Sequence, residues 1–341
     1  MIAVWGPPAD ETTLSVLDAL LRRDAPVAFI DQGEVLRHTG RLEVVRGAAG
    51  YVAGWLDLPS GTYDLGVFAS AYIRPHDSLA APRVASAGPR SPEANHARKI
   101  EDLLMRWAQI TPALVINRPS AMATNNSKPY QALSARAVGF EVPATLLTTD
   151  PEAAARFAAE HGEVIYKSIG GIRSIVTRLR ADDRQRLDDV RWCPTQFQAW
   201  VAGTDVRVHV VGDRVFACEI ESDADDYRYG ESTSRLCDLP AEQAARCVEL
   251  SARLGLEVAG IDLRRTPDGA WYCFEANPSP AFACFGDEIK SAVAAAIADR
   301  LIGAEPPRRT PVSFYDAGPS LPEPDTRSVR ASRAAPDPVY Q

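Results

Sequence analysis

The segment GIDLRRTPDGAWYCFEAN, residues 260–277, decides the fold of this chain and the place of its chemistry. The dipeptide Asp268-Gly269 separates two apolar-rich runs, which is a strong signal for a two-residue turn between antiparallel strands. With that turn, Asp262 faces Glu275 directly across the hairpin. Asn277 lies two residues further along the same face.

Opposed residues on one sheet face have Cβ atoms about 4.5–5.5 Å apart, so two carboxylates at these positions repel unless a cation lies between them. Two carboxylates and an amide are the oxygen ligands that Mg²⁺ prefers, with phosphates and water completing its octahedron. The alternative is a solvated polar hairpin face, but the adjoining run Trp271-Tyr272-Cys273-Phe274 favours a buried element. The pattern therefore predicts a magnesium site formed by Asp262, Glu275 and Asn277.

A bound nucleotide such as ATP requires positive charge from other parts of the chain. Lys128 lies at the predicted start of a helix, where free amides and the helix dipole favour anions, and Lys167 ends an apolar strand. The Gly170-Gly171 turn, followed by Arg173 and Ser174, can close over phosphates with its backbone amides. Taken singly, a lysine at the end of an element is usually just solvated, and a plain connecting loop is the alternative interpretation of the turn.

The alternating segment DVRVHV, residues 205–210, places Asp205, Arg207 and His209 on one strand face. The rigid donor fork of Arg207 suits phosphoryl and carboxylate oxygens, and Arg228 is a second candidate; ordinary salt bridges explain either residue as well. A strand histidine is more often structural than a general base. The cysteines lack neighbours that would activate a thiolate, so a cysteine nucleophile is not expected.

The chain as a whole indicates an α/β protein in several parts. Alternating strands and helices predict a parallel sheet in residues 1–116, whose turn at residues 6–8 lacks the spacing of a dinucleotide-binding fingerprint. The predicted division continues with residues 117–195, 196–305 and a proline-rich tail at 306–341, read as mostly disordered with a docked tail as the alternative. The predicted strands are 2–5, 27–30, 65–69, 145–148, 164–167, 175–177, 196–201, 206–211, 214–220, 259–265 and 271–277, and the predicted helices include 11–22, 93–108, 126–140, 241–254 and 287–302.

Composition excludes several classes of protein. A net charge of -8 argues against broad binding of nucleic acid. No signal peptide and no long apolar run is found, which predicts a cytoplasmic protein without a membrane partner. The 6 cysteines are dispersed without a CxxC pair, which fits reduced thiols better than disulfides or a zinc site.

Four motifs in order resemble ATP-grasp enzymes of the RimK-like branch: NNSKPYQ, VIYKSIGGIRSIV, PTQFQAWVAGTDVRVHVVGD and GIDLRRTPDGAWYCFEANPSP. The resemblance covers roughly residues 118–302. The second motif and PTQFQAWV are most similar to the maturases of graspetides such as microviridins. The resemblance implies an N-terminal α/β pre-ATP-grasp domain followed by a two-lobed ATP-grasp fold, which is α+β in that part.

The resemblance also implies roles for individual residues. Arg207 and Arg228 would stabilise the transferring phosphoryl group, and Asp205 would approach the ribose. Ala199 departs from the family, which usually carries glutamate in the adenine hinge, so weakened adenine binding is expected. The implied ATP-binding residues are Lys128, Lys167, Gly170, Gly171, Ser174, Gln198, Ala199, Trp200, Val201 and Asp205, and the implied metal ligands are Asp262, Glu275 and Asn277.

The function expected from these features is an ATP-dependent carboxylate–amine or carboxylate–hydroxyl ligase that forms an acyl phosphate. The expected cofactors are ATP and Mg²⁺, with Mn²⁺ as a substitute. A ribosomal precursor peptide and a small amino acid or peptide stay open as substrates. The alternatives are an ATP-binding module without catalysis and a small-molecule kinase on the same fold. Homo-oligomers are a family expectation only.

Overall fold

The computed structural model describes residues 1–45, 51–169, 176–222 and 232–305. Within them the strands form four sheets. The strands are β1 (Ile2–Gly6), β2 (Val27–Asp31), β3 (Thr39–Val45), β4 (Tyr51–Leu58), β5 (Gly61–Asp64), β6 (Ser70–Ile73), β7 (Leu114–Ile116), β8 (Thr145–Thr148), β9 (Val164–Ser168), β10 (Thr177–Arg178), β11 (Thr195–Ala199), β12 (Thr204–Val211), β13 (Arg214–Ser222), β14 (Ser232–Cys237), β15 (Val258–Arg265) and β16 (Trp271–Asn277).

The helices include long amphipathic segments and several single turns. They are α1 (Glu11–Leu21), α2 (Pro82–Ala87), α3 (Pro92–Ile110), α4 (Pro119–Met122), α5 (Lys128–Ala137), α6 (Pro151–His161), α7 (Ala181–Arg184), α8 (Ala241–Arg253) and α9 (Asp287–Ile302). Among the described residues, no helix is both long enough and apolar enough to cross a bilayer. The predicted tail, residues 306–341, lies outside the described part of the chain.

The N-terminal parallel sheet is confirmed, with strand order β2-β1-β6-β7. The strand predicted at 65–69 is wrong, because the third strand in the sheet is β6. Residues 65–69 form a turn instead, in which the Asp64 carboxylate accepts a hydrogen bond from Gly66 N at 2.8 Å. Leu65 and Phe68 lie in this turn, and their side chains are buried in the core. Their apolar character therefore reflects core packing and not a strand.

A small antiparallel sheet, β3-β4-β5, was not predicted from the sequence. It is inserted between β2 and β6 and packs through Leu42, Val52 and Leu56 against the core of the first sheet. Gly54 in β4 has a φ of 147°, and a Cβ there would lie 2.9 Å from the carbonyl carbon of Arg41. The two strands approach too closely at this point for any residue with a side chain.

The second four-stranded sheet has the order β10-β9-β11-β8 and is covered by α6. β11 pairs antiparallel with both β8 and β9. The sheet therefore extends past residue 195, where the predicted division of the chain falls. A division after β11 suits the topology better, and the domain boundaries remain a proposal.

The five-stranded antiparallel sheet, β14-β13-β12-β15-β16, carries the predicted hairpins. Its β15–β16 loop differs from the prediction, since Thr266 N donates to Ala270 O and three residues separate them. A bulge between Asp262 and Leu263 adds one residue on β16 and compensates for the longer loop. Asp262 consequently faces Glu275, as predicted.

The two faces of this sheet have different surroundings. On one face, Val206, Val208 and Val210 pack with Ile261 against α5 and α8. On the other face, α9 and the 3-10 helix Phe282–Cys284 cover one end of the sheet. The uncovered end of that second face carries Asp205, Arg207 and Asp262, and the candidate site lies there.

Two buried polar side chains fasten the N-terminal sheet to the end of β16. Asn117, directly after β7, donates to Val258 O and Pro278 O, each at 2.6 Å. Arg74, directly after β6, donates to Ser279 Oγ at 2.7 Å and to the Asp10 carboxylate at 2.9 Å. The first sheet thus holds the segment that follows Asn277.

Candidate active site

The predicted acidic pair lies on the open face of the five-stranded sheet. Asp262 on β15 and Glu275 on β16 are cross-strand neighbours, and their side chains are 24% and 18% exposed. This arrangement follows from alternation along the two strands, because Ile261 and Leu263 are buried on the opposite face. The carboxylates are therefore accessible but largely removed from water.

Each carboxylate has a buried cation beside it. Lys128 Nζ, at the first residue of α5, donates to Glu275 Oε1 at 3.0 Å, and Arg207 Nη1 donates to Asp262 Oδ1 at 2.6 Å. Both cationic side chains are less than 10% exposed. Two negative and two positive charges are thus balanced within one small region, which lowers the cost of burying each of them.

The predicted start of the helix that carries Lys128 is wrong. The helix α5 begins at Lys128 and not at residue 126, and the Ser127 side chain does not cap it.

Gly260 makes the room that Arg207 occupies. A Cβ built on Gly260 would lie 2.7 Å from Arg207 Cζ and closer still to its Nη2. Pro280 Cβ would be 2.7 Å away on another side. Real Cβ atoms do not approach so closely, so the guanidinium group lies across β15 only because residue 260 has no side chain.

Asn277 joins the same group, since its Nδ2 donates to Asp262 Oδ2 at 3.2 Å. No cluster of three or more acidic, histidine or cysteine side chains suited to a metal occurs in the part of the chain that the structure describes. Two carboxylates and one amide are nevertheless a hard oxygen set that fits Mg²⁺ when a nucleotide brings further oxygens. The donor chemistry agrees with the predicted ligands.

Asp205 lies at the start of β12 and is held by Arg264, a residue that sequence reasoning missed. Arg264 Nε and Nη2 donate to the two Asp205 carboxylate oxygens at 2.7 and 2.9 Å, and its Nη1 donates to Val201 O at 2.7 Å. The signal was present in the sequence, because Arg264 is two residues after Asp262 and so shares its face.

The predicted ATP-binding residues Lys167 and Gln198 to Val201 lie in the sheet β10-β9-β11-β8 or directly after it. Lys167 on β9 is buried opposite Gln196, and Gln198 to Val201 lie at the end of β11 and just beyond it. The Gln198 Nε2 group donates to Thr145 Oγ1 at 3.2 Å. The Oε1 atoms of Gln196 and Gln198 are buried and accept no hydrogen bond within the described residues. Such buried acceptors fit a ligand that brings its own donors.

Part of the predicted site lies outside the described residues. Gly170, Gly171, Arg173, Ser174 and Arg228 fall in the segments 170–175 and 223–231. Their assignment to phosphate and acyl-phosphate binding therefore remains a prediction from the sequence.

His209 does not serve as a general base in this geometry. The side chain is completely buried, with its ring edge-on to the rings of Phe282 and Phe285. Burial, followed by the nearby charge of Arg207, lowers its pKa well below the usual value. The ring is neutral and hidden from any substrate on the open face.

The thiols also fit the expectation of no cysteine nucleophile. Burial raises the pKa of Cys218 and of Cys247 to about 12. Both thiols are protonated at neutral pH, and a protonated thiol is a poor nucleophile.

Comparison with known proteins identifies the family. The model of the RimK-like ATP-grasp domain matches residues 123–301, which is just over half of the 341 residues. The matched range includes both ion pairs of the site, Lys128 with Glu275 and Arg207 with Asp262. The chain belongs to the RimK-like ATP-grasp family. The mixed α/β architecture predicted from the sequence is confirmed with it.

Several members of known structure or curated function resemble this RimK-like chain. Human beta-citrylglutamate synthase B is 29% identical over 203 residues, which cover 54% of this chain and 52% of that protein. The chain spans 38–52% of the length of the first curated relatives that it matches. The ATP-grasp ligase PsnB, complexed with a phosphomimetic variant of a minimal precursor, Mg and ADP, has a TM-score of 0.70 and 28% identity, covering 88% of this chain and 97% of PsnB.

A further solved structure shares the fold. The RiPP-associated ATP-grasp ligase of Chryseobacterium gregarium, in complex with ADP and a leader and core peptide, has a TM-score of 0.75 at 22% identity. It covers 91% of this chain and 98% of its own. The fold shared with that structure therefore includes the N-terminal sheet as well as the sheets that follow it.

Proposed function

We propose that this chain is an ATP-dependent ligase that activates a carboxylate as an acyl phosphate and joins it to an amine or a hydroxyl. The observation that carries the proposal is the opposed pair Asp262 and Glu275, each balanced by a buried cation on the open face of the sheet. The family supplies the reaction class. The geometry of the open face supports the choice of residues.

The residues of the open face have distinct roles in this proposal. Asp262, Glu275 and Asn277 hold Mg²⁺, which neutralises phosphate charge when bound. Lys128 and Lys167 bind nucleotide phosphates, and Arg207 stabilises the transferring phosphoryl group. Mn²⁺ is a proposed substitute for Mg²⁺.

The proposed reaction has two steps, phosphorylation of the carboxylate and displacement of the phosphate. A carboxylate oxygen attacks the γ-phosphorus of ATP, and ADP leaves with the bond electrons, giving an acyl phosphate. An amine or hydroxyl then attacks the acyl carbon, phosphate leaves and the nucleophile loses its proton. The chain contributes positioning and charge neutralisation, and no general base is assigned.

The adenine is proposed to bind along residues 198–201. Ala199 N donates to Ala144 O and Trp200 N donates to Glu163 O, so part of this segment's backbone is already engaged. The buried Gln198 Oε1 is an acceptor suited to an amino group. Ala199 offers no side-chain contact to adenine, so we expect backbone groups to contribute most of the recognition.

A peptide carboxylate is the substrate class we favour over a small amino acid. The likeness to PsnB covers nearly the whole of both chains, whereas the curated synthases match over about half of this chain. A likeness of this extent to a ligase that was solved with a precursor supports a precursor peptide as the substrate. Small amino acids remain the second candidate, because glutamate ligases are among the curated relatives.

Mass spectrometry of the product tests the proposal against its rivals. With Mg-ATP and a peptide pool that includes candidate precursors, the ligase is expected to form one ADP and one phosphate per new bond, and the product is lighter than its substrates together by the mass of one water per bond. A product that gains a phosphoryl group would indicate a kinase instead. Nucleotide binding with no ADP under any pool would indicate a module without catalysis. Cytoplasmic localisation and a homo-oligomer also remain proposals.

A further inference from the structure

Arg264 belongs to a ladder of ion pairs that runs along the open face. In the β12–β15 pairing, Asp205 is opposite Arg264 and Arg207 is opposite Asp262. The two rungs have inverted charge, with the acid on β12 in one and on β15 in the other. Each charged side chain therefore has an oppositely charged neighbour on the adjacent strand and another two residues away on its own strand.

The ladder gives the open face a direction. Beyond Arg207 on β12 comes His209, which is completely buried against Phe282 and Phe285. In the other direction comes Asp205, whose side chain is 29% exposed, and then the proposed hinge at 198–201. Along the strand, a nucleotide with its phosphates over Asp262 is blocked toward His209 and can extend toward Asp205, roughly 6–7 Å away.

Arg264 is held more firmly than a surface arginine. Its guanidinium carbon lies 4.7 Å from the centre of the Trp200 ring and 5.2 Å from that of Phe274. Its side chain is 11% exposed and donates three hydrogen bonds, two to Asp205 and one to Val201 O. A planar guanidinium group that donates two hydrogen bonds to one carboxylate fixes the orientation of that carboxylate.

We propose that Arg264 is a positioning residue that orients the Asp205 carboxylate to accept a hydrogen bond from a ribose hydroxyl of the nucleotide. The inference rests on the proposed function, since it requires a nucleotide on the open face. A carboxylate has about four acceptor sites, so two bonds from Arg264 leave capacity for a hydroxyl. Arg264 then sets the preference for ribonucleotides over deoxyribonucleotides.

The test is calorimetric titration of the purified full chain, in Mg²⁺, with ADP, 2′-deoxyADP and 3′-deoxyADP. The wild type is expected to bind ADP about tenfold more tightly than at least one deoxy analogue, the size expected for a hydrogen bond to a charged acceptor. Arg264→Met and Asp205→Asn are both expected to reduce that ratio to about twofold or less. Asp205→Asn preserves side-chain volume and keeps the test informative if Arg264→Met does not fold.

Arg265→Met is the matched control, because Arg265 is adjacent, partly exposed and paired with Glu219. Arg265→Met is expected to keep the wild-type ratio of ADP affinity to deoxy-analogue affinity. A loss of the ratio in Arg264→Met alone would then be specific to Arg264 and not a general effect of removing an arginine from β15. An unchanged ratio in folded Arg264→Met, or equal binding of all three nucleotides by the wild type, would overturn the inference alone. A wild type that binds none of them would overturn the proposed function itself.

Discussion

At the scale of single residues, the site depends on how buried charges are compensated. Lys128 and Arg207 are held against Glu275 and Asp262, and Arg207 reaches its partner across Gly260. The sequence alone indicates the four charged residues through alternation and capping signals. It does not indicate the role of Gly260, because the need for glycine arises only when a side chain from β12 crosses over it.

Gly260→Ala tests this packing. The added methyl group collides with Arg207 and with Pro280, so the guanidinium group must leave its place beside Asp262. We expect substrate-stimulated ADP release to fall at least about tenfold and stability to fall by about 1–3 kcal/mol, the usual cost of overpacking. Gly66→Ala, in an exposed turn where the nearest atom to the new Cβ is the end of the Asp64 side chain at 3.3 Å, is the control. Wild-type activity in Gly260→Ala would show that Arg207 is not constrained there.

The burial of His38 predicts that the folded protein becomes less stable at acid pH. Burial lowers its pKa from 6.5 to about 4, so the unfolded chain binds a proton in this window while the folded chain does not. Stability is therefore complete above pH 6.5 and decreases as the pH falls toward 4. The decrease from this residue between pH 7 and pH 5 is roughly 2 kcal/mol.

Urea unfolding at the two pH values measures this effect. In His38→Gln the difference between pH 7 and pH 5 should shrink by that amount, whereas His76→Gln, at an exposed position, should leave it unchanged. Equal pH dependence in wild type and His38→Gln would mean that His38 titrates normally in the folded protein.

At the scale of elements, the β15–β16 hairpin shows why a correct register can follow from an incorrect turn. Asp268-Gly269 indicated a two-residue loop, but the loop has three residues and β16 carries a bulge. The bulge leaves Phe274 without a partner in the strand pairing, and its ring centre lies 5.2 Å from the Arg264 guanidinium carbon, a contact that regular alternation does not predict. Alternation predicts the facing residues of a strand well, but not where a strand gains one residue.

Asn117 is an element-scale anchor that the sequence did not reveal. Its side chain donates to Val258 O and Pro278 O and accepts from Glu257 N and Val258 N. Asn117→Ala leaves these buried backbone groups without partners, and we expect a loss of about 3 kcal/mol in the free energy of unfolding.

Denaturant unfolding of Asn117→Ala, with exposed Asn95→Ala as the control, measures that loss. Because the anchor holds the ends of β15 and β16, Mg-ADP affinity should fall as well. A change below about 0.5 kcal/mol, the range usual for surface substitutions, would contradict the anchoring role.

At the scale of the whole molecule, the parallel sheet and most strands of the two later sheets were predictable, whereas β14 and the β3–β5 insertion were not. The parallel strands β1 and β2 are continuous apolar runs, which a sequence pattern reveals. β3 and β4 mix exposed and buried residues and meet at Gly54, so their pairing depends on contacts with the first core. How Arg74 and Asn117 join the sheets likewise required the structure.

The most direct test of the central claim is ADP release from Mg-ATP by the full chain, screened against pooled amino acids and peptides. Glu275→Gln removes one proposed metal ligand, and exposed Glu288→Gln is its matched control. We expect pool-stimulated ADP release in the wild type and in Glu288→Gln, reduced at least about a hundredfold in Glu275→Gln. Equal ADP release by Glu275→Gln and the wild type would contradict an active site built on the Asp262–Glu275 pair.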